Sequence, residues 1–180
     1  MPAPEQIRET ISRLGVQPTD HLIVVDVRKQ QLALIHQDQI KEIYTISTSK
    51  RGVGQKIDTW KTPRGLHRIN EKIGHHMPPY GIFHRRKFVG VWNTQPRHRH
   101  FKDYVSTRIL RLEGLQPGLN KGRDYLGHIV DSETRAIYIH GTTMEWKLGK
   151  PSTKGCIHMS AADVIRLFDR VPPGTLVWIH

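Results

Sequence analysis

The sequence predicts a mostly β domain of the α+β class, built as a β-sandwich or partly closed barrel with one or two short helices. Two observations predict it: many short β-branched or alternating segments are separated by turn residues, and few segments show helical spacing. The 180 residues include 37% hydrophobic side chains, enough for one core. We therefore expect an N-terminal helical segment over residues 1–20 and a single domain over residues 21–180.

Two segments carry apolar residues at helical spacing. Residues 4–14 place Ile7 and Leu14 on one face, which predicts a first helix. Near the other end, Ser160 is followed three positions later by Asp163, and this capping pattern predicts the start of a second helix.

Strands are predicted between these helices and after the second. Continuous apolar residues at 22–27 indicate a buried strand. Alternation within 31–36 and 39–48 indicates a hairpin that turns at Gln37 and Asp38. The remaining strands are predicted at 65–69, 87–92, 107–112, 135–140 and 175–179.

The charge is strongly positive and unevenly distributed. The chain has 28 Lys and Arg against 16 Asp and Glu, a formal net charge of +12, so we expect an acidic partner. Residues 72–102 contain no acid and seven Lys or Arg side chains, among them Arg85 and Arg86. This basic stretch is either a solvated face or a surface that flanks the functional cleft and binds an acidic partner.

The lone cysteine is the first candidate for chemistry. Cys156 excludes an internal disulfide and a cysteine-based zinc site. Gly155, the charge of Lys154 and the dipole of the helix predicted after Ser160 all favour a reactive thiolate over a buried structural cysteine. His140 ends an apolar strand, and a cysteine with a histidine base is the minimum pair for nucleophilic acyl transfer.

Four short segments form a pattern when taken together: Thr45-Ile-Ser-Thr-Ser, Lys61-Thr-Pro-Arg-Gly, Tyr138-Ile-His-Gly and Ser152-Thr-Lys-Gly-Cys-Ile-His. This pattern resembles the Ser-Thr-Gly, Thr-Pro-x-Gly, His-Gly and Ser/Thr-His-Gly-Cys segments of the L,D-transpeptidase (YkuD) family. The resemblance covers roughly residues 21–180. It implies a YkuD-like catalytic domain that needs no cofactor.

The resemblance implies a catalytic role for each residue of the motif. Cys156 is the nucleophile and His140 its general base. The carbonyl of Gly141 orients the imidazole, and the amides of Gly155 and Cys156 form the oxyanion hole. Thr153 occupies the family's Ser/Thr position.

Two positions depart from the family pattern. Lys154 replaces the usual His before Gly-Cys, and His158 replaces the usual Arg after Cys-Ile. Both departures bear on substrate contacts and leave the nucleophile and the base in place. The predicted substrate-binding residues are therefore Thr153, Lys154, His158, Arg85 and Arg86.

The resemblance also implies a substrate class, the stem peptides of peptidoglycan or soluble muropeptides. The cysteine attacks the carbonyl before the terminal D-Ala, and the acyl group passes to water (L,D-carboxypeptidase) or to an amine (transpeptidase or D-amino-acid exchange). No apolar leader or membrane-spanning segment is visible, so we expect a cytoplasmic location without membrane binding. There, water is the abundant acceptor, which favours a carboxypeptidase of murein recycling. Carbapenem-type inhibitors are expected to acylate the cysteine.

Two other classes are weighed on composition. The basic stretch with its aromatic residues fits a nucleic-acid-binding protein, but no nucleic-acid motif accompanies it. His75-His76 and His98-x-His100 offer metal ligands, but their spacing matches no specific site. Both readings leave the cysteine motif unexplained, so we expect neither nucleic acid nor a metal as partner.

Overall fold

The structure is a computed structural model that describes residues 5–95 and 102–180. Over these ranges the chain is mostly β with two α-helices, which confirms the predicted class. Two single 3-10 turns lie at Trp92–Thr94 and Glu145–Lys147. The elements in chain order are α1 (Glu5–Leu14), β1 (His21–Asp26), β2 (Gln31–His36), β3 (Gln39–Thr45), β4 (Gly65–Ile73), β5 (Gly81–His84), β6 (Lys87–Val91), β7 (Val105–Gly114), β8 (Tyr138–Gly141), β9 (Ile157–Met159), α2 (Ala161–Arg170) and β10 (Leu176–Ile179).

The strands form one ten-stranded sheet that does not close on itself. Its main path runs β3-β2-β1-β10-β4-β7-β5-β6. The long strand β7 is a branch point, because it pairs with β4, β5 and β8, and β8 in turn pairs with β9. The branch therefore carries the two strands that contain the cysteine motif.

Both faces of the sheet are covered, one by each helix. The alternation along β10 shows this, since Val177 and Ile179 belong to the core cluster that includes Phe168 of α2. Leu176 and Trp178 point the other way and pack in the cluster that includes Ile7 of α1. The N-terminal helix thus contributes to a second core on the same sheet.

The sequence analysis did not predict two of the strands, β5 and β9. β9 has only three residues, too few for an alternating pattern to be visible. α2 begins after Ser160, whose Oγ accepts a hydrogen bond from the Asp163 amide, as the capping pattern predicted. The position of β9, however, corrects the expectation that the dipole of this helix activates the thiol. The thiol of Cys156 is separated from that helix start by the whole of β9, about 10 Å of strand, so the helix dipole does not activate it.

Candidate active site

The branch of the sheet places the predicted nucleophile and base on one face. β8 and β9 run parallel, with His140 opposite His158. Cys156 directly precedes β9 and lies close to the backbone N–H of Tyr138, which lowers the pKa of the thiol. If the β8–β9 register and its alternation are extended by one residue, Cys156 comes opposite Tyr138 and on the same side as His140, about 7 Å away along the strand direction.

The thiol of Cys156 is half-buried and protonated at rest. Its Sγ donates to the carbonyl oxygen of Ala136 at 3.5 Å. Desolvation raises the pKa of the Cys156 thiol to about 11, although the Tyr138 N–H and the charge of Arg135 act in the opposite direction. Such a thiol needs a base before it can act as a nucleophile.

His140 supplies a buried, neutral imidazole. Its Nδ1 lies 2.9 Å from the carbonyl oxygen of Gly141. A carbonyl only accepts, so Nδ1 carries the proton and Nε2 carries the lone pair. Desolvation, aided by the neighbouring His158, lowers the pKa of His140 to about 3. Among the described residues none donates to Nε2, which leaves this nitrogen able to accept a proton.

Two glycines allow the close packing around these side chains. A Cβ on Gly141 would lie 2.8 Å from the carbonyl oxygen of Ser106 in β7, so this position admits no side chain. Gly155 has a φ of 124°, and a Cβ there would lie 3.3 Å from the Lys61 carbonyl oxygen. The Gly155 amide, predicted for the oxyanion hole, donates to Thr153 Oγ1 at 3.2 Å and is therefore engaged within the turn at rest.

Thr153 and Lys154, both predicted to bind substrate, have different surroundings. Thr153 is buried, and its hydroxyl donates to the Cys156 carbonyl at 2.7 Å. It therefore shapes the turn and offers no free surface, unlike the predicted substrate contact. Lys154 is exposed, with Nζ 5.3 Å from the ring centroid of the exposed Trp60. This cation and this aromatic ring remain accessible to a ligand.

An acid that the sequence analysis missed lies beside His158. Asp103 Oδ2 is 3.4 Å from His158 Nδ1, and Asp103 Oδ1 accepts from the Thr142 hydroxyl at 2.5 Å. Burial alone would raise the pKa of the Asp103 carboxyl, but its bonds with His158 and Thr142 bring that pKa below its usual value. The ring centroids of His158 and His140 are 4.4 Å apart, so Asp103 fixes the neighbour of the base. The available signal was that Asp103 is the first acid after the acid-free residues 72–102.

One cation of the basic stretch, within its described residues, is bound inside the fold. Lys72, at its start, donates to the carbonyls of Phe168 and Val171 at 2.5 and 2.8 Å. These carbonyls lie at the C-terminal end of α2, where a cation stabilises the helix. The expectation that all of residues 72–102 flank the cleft is therefore wrong for Lys72. Arg97 and Arg99 lie outside the described residues.

The Arg85–Arg86 pair lies in the turn after β5, a strand that pairs with β7. Both side chains are exposed and form the turn between β5 and β6, with φ of 48° and 69°. β5 pairs with the first residues of β7, where Ser106 also pairs with Gly141 of β8. Because β5 and β7 are antiparallel, the turn extends past the start of β7, the direction in which Asp103 lies. A substrate contact by Arg85 and Arg86 stays a prediction.

The histidines considered as metal ligands lie partly within the described residues. The rings of His75 and His76 lie 3.8 Å apart, while His98 and His100 fall outside the described residues. Within the described part of the chain, no group of three His, Cys, Asp or Glu side chains is arranged to hold a metal ion. None of the helices at 5–95 and 102–180 is long and apolar enough to span a bilayer.

Comparison with known proteins identifies the family. The model of the YkuD L,D-transpeptidase catalytic domain matches residues 20–179. This chain belongs to the YkuD family. Among its relatives is the Bacillus subtilis (strain 168) protein YqjB, which carries an L,D-transpeptidase name. It is 28% identical over 163 residues, covering 90% of this chain and 72% of YqjB.

Solved structures share the fold of this YkuD domain at low sequence identity. An L,D-transpeptidase from Mycobacterium smegmatis is 14% identical with a TM-score of 0.51, covering 89% of this chain and 58% of that one. L,D-transpeptidase 3 from Mycobacterium tuberculosis, in complex with a faropenem-derived adduct, is 14% identical with a TM-score of 0.53, covering 89% and 60%. An L,D-transpeptidase in complex with imipenem is 13% identical with a TM-score of 0.53, covering 89% and 59%. The chain thus spans about three fifths of the length of these proteins.

Proposed function

We propose that this YkuD domain is a cysteine acyltransferase that cleaves the bond before the terminal D-Ala of peptidoglycan stem tetrapeptides, with water as its main acceptor. One observation supports the proposal: the residue that precedes β9 carries a protonated thiol, and the paired strand β8 carries a neutral histidine with a free nitrogen. Family membership supplies the substrate class.

Acylation begins when Sγ leaves the Ala136 carbonyl and turns along the face toward His140. Nε2 takes the thiol proton while sulfur attacks the carbonyl carbon of the third residue of the stem. The amides of Cys156 and Gly155 hold the oxyanion, once Gly155 has released Thr153. Collapse breaks the C–N bond, and the imidazolium gives its proton to the amine of the departing D-Ala. A thioester remains on the sulfur.

Deacylation uses the same base in the same position. Nε2 of His140 takes a proton from a water molecule as the oxygen attacks the thioester carbonyl. Collapse breaks the C–S bond, and the thiolate of Cys156 recovers the proton. The products are a tripeptide carboxylate and the free thiol.

The charge around the sulfur supports water over an amine as the acceptor. Lys154 lies two residues from Cys156, and Arg135 acts on the thiol electrostatically. The carboxylate of Asp103 acts on the thiol in the opposite sense, but its oxygens are held by His158 and Thr142. Lys154 and Arg135 repel an approaching ammonium group, whereas water carries no net charge and is not repelled. Because hydrolysis needs no second strand of wall, soluble cytoplasmic muropeptides in murein recycling fit this activity. The alternative is a transpeptidase that forms cross-links or exchanges D-amino acids.

The test is to incubate the protein with a disaccharide-tetrapeptide, with and without a D-amino acid, and to weigh the products. We expect the disaccharide-tripeptide and free D-Ala in both reactions. Cross-linked dimers or the exchanged tetrapeptide as the main product would make the protein a transpeptidase. Cell fractionation tests the location, and recovery outside the cytosol would contradict it.

Carbapenems offer a test of the nucleophile that is independent of the acceptor. Two of the solved relatives are described with imipenem and with a faropenem-derived adduct. We propose that a carbapenem acylates Cys156 of this chain. Intact mass spectrometry should show the adduct on the wild type and none on Cys156→Ala; an equal adduct on both would contradict the assignment.

A further inference from the structure

Arg135 is a half-buried cation close to the turn of residues 153–156, which we call the catalytic turn. Its Nη1 donates to the carbonyls of Gly54 and Gln55 at 3.2 and 2.7 Å, and its Nη2 donates to the carbonyl of Lys61 at 2.5 Å. Carbonyl oxygens carry no net charge. These bonds therefore satisfy the guanidinium donors without neutralising the positive charge.

Two arginines of the sheet are compensated by carboxylates, whereas Arg108 on β7 resembles Arg135 and donates to carbonyls, those of Met77 and Thr107. Arg111 donates to both Glu71 and Glu133, and Arg68 pairs with Glu113. Arg135 has no carboxylate partner among the described residues, although partly buried guanidinium groups are normally paired. Its charge is therefore available to an anion that exists only during the reaction.

Two connections join Arg135 to the thiol. The next residue, Ala136, adopts a left-handed φ of 54°, and its carbonyl accepts the thiol hydrogen. The carbonyl of Lys61, held by the guanidinium, lies 3.3 Å from the position of a Cβ on Gly155. Thr62, the residue after Lys61, donates its hydroxyl to the Gly155 carbonyl at 3.0 Å. The loop bound by Arg135 thus lies directly against the catalytic turn.

We propose that Arg135 is a positioning residue that holds the 54–61 loop against the catalytic turn and stabilises the Cys156 thiolate as it forms. The charge of Arg135 lowers the pKa of the thiol, against the larger effect of desolvation. The proposal concerns the reactivity of the thiol itself, so its test needs no peptidoglycan and can fail independently of the function proposed above.

Alkylation by iodoacetamide measures the thiolate directly, because the reagent reacts with that form. Arg135→Gln keeps an N–H donor for a carbonyl but removes the charge. We expect it to lower the alkylation rate about tenfold between about pH 8 and 9.5, equivalent to one unit of pKa. Arg135→Lys, which keeps the charge, should stay within about threefold of the wild type. The matched control is Arg123→Gln, which removes a guanidinium bonded to the Gly127 carbonyl and should change nothing.

Iodoacetate distinguishes an electrostatic role from a merely structural one. This reagent is an anion, so Arg135→Gln should also lower the ratio of iodoacetate to iodoacetamide rates, whereas a displaced loop affects both reagents alike. Equal losses in the Gln and Lys variants, or an unchanged ratio, would overturn the proposal. If Arg135→Gln does not fold, the wild-type ratio at low and high salt carries the test, and a ratio insensitive to salt would overturn it.

Discussion

Two buried histidines of this sheet, His67 on β4 and His140 on β8, differ in a single hydrogen bond. In His67, Nδ1 lies 3.0 Å from the Gly65 carbonyl and Nε2 lies 2.9 Å from Ser132 Oγ. In His140, only Nδ1 is bonded, to the Gly141 carbonyl. Desolvation lowers the pKa of both, to about 4 and about 3. Burial keeps each imidazole neutral, but only the one with an unpaired Nε2 is available as a base.

The largest expected effect comes from removing the Cys156 thiol, whose proton Nε2 of His140 accepts. Cys156→Ala should abolish D-Ala release from the tetrapeptide and leave the melting temperature nearly unchanged, because it deletes the reacting atom and little volume. Product analysis and thermal unfolding check both halves. Turnover retained in this variant would remove the cysteine from the mechanism.

The second effect separates the two histidines by activity. His140→Ala should lower kcat by about a hundredfold or more, since a positioned base contributes that much. Steady-state release of D-Ala measures it, with His158→Ala as the comparison. We expect His158→Ala to alter KM more than kcat. A loss of kcat in His158→Ala that exceeds the loss in His140→Ala would assign the role of base to His158.

The third effect separates the same histidines by stability. His67→Ala should cost about 2–4 kcal/mol of unfolding free energy, because it opens a cavity and leaves Ser132 without its buried partner. Its kcat per folded molecule should stay close to that of the wild type. Urea unfolding measures the free energy of unfolding, and active-site titration counts the folded molecules to which kcat refers. A stable His67→Ala protein with a hundredfold lower kcat would mean that the comparison is wrong.

The pH dependence sharpens the same contrast. Both histidines have folded pKa values below the unfolded value of about 6.5, so the unfolded chain binds more protons at acid pH. Their contribution is intact above pH 6.5 and declines as pH falls from about 6.5 through about 4, by up to about 3 kcal/mol for each histidine. Urea midpoints from pH 7.5 to 4.5 should fall for the wild type and fall less for His67→Ala. Equal slopes would contradict the assignment of a buried neutral His67.

The smallest expected effect lies away from both histidines, on the β5–β6 turn. Reversing Arg85 and Arg86 to Glu should raise KM for the tetrapeptide severalfold and change the rate of acylation less, because such contacts favour substrate and transition state alike. Added salt should reproduce part of the rise in the wild type. Arg28→Glu, an exposed reversal after β1, serves as the control. An unchanged KM would make Arg85 and Arg86 ordinary solvated cations.

How far the sequence predicted this site depends on which contacts are local. Cys156 and His140 were identified because the motif keeps them in fixed sequence relation, and the Ser160 cap because Asp163 is three residues away. Asp103 was missed because its contact with His158 joins residues 55 positions apart. Thr153 was predicted to bind substrate. Its hydroxyl bonds within the turn instead, in a backbone conformation that the residue type alone does not reveal. The predicted activation of the thiol by the helix dipole was wrong because the three residues of β9 separate Cys156 from α2. The pairing of β9 with β8 is not visible from the sequence.

The hydrogen bond from Cys156 to the Ala136 carbonyl also has a consequence for redox chemistry. Oxidants such as peroxides attack thiolates, so a thiol kept protonated by desolvation is a slow target while the site is empty. The chain contains no second cysteine, and a sulfenic acid formed here has no internal partner with which to make a disulfide. Desolvation at rest therefore protects the single thiol on which the proposed chemistry depends.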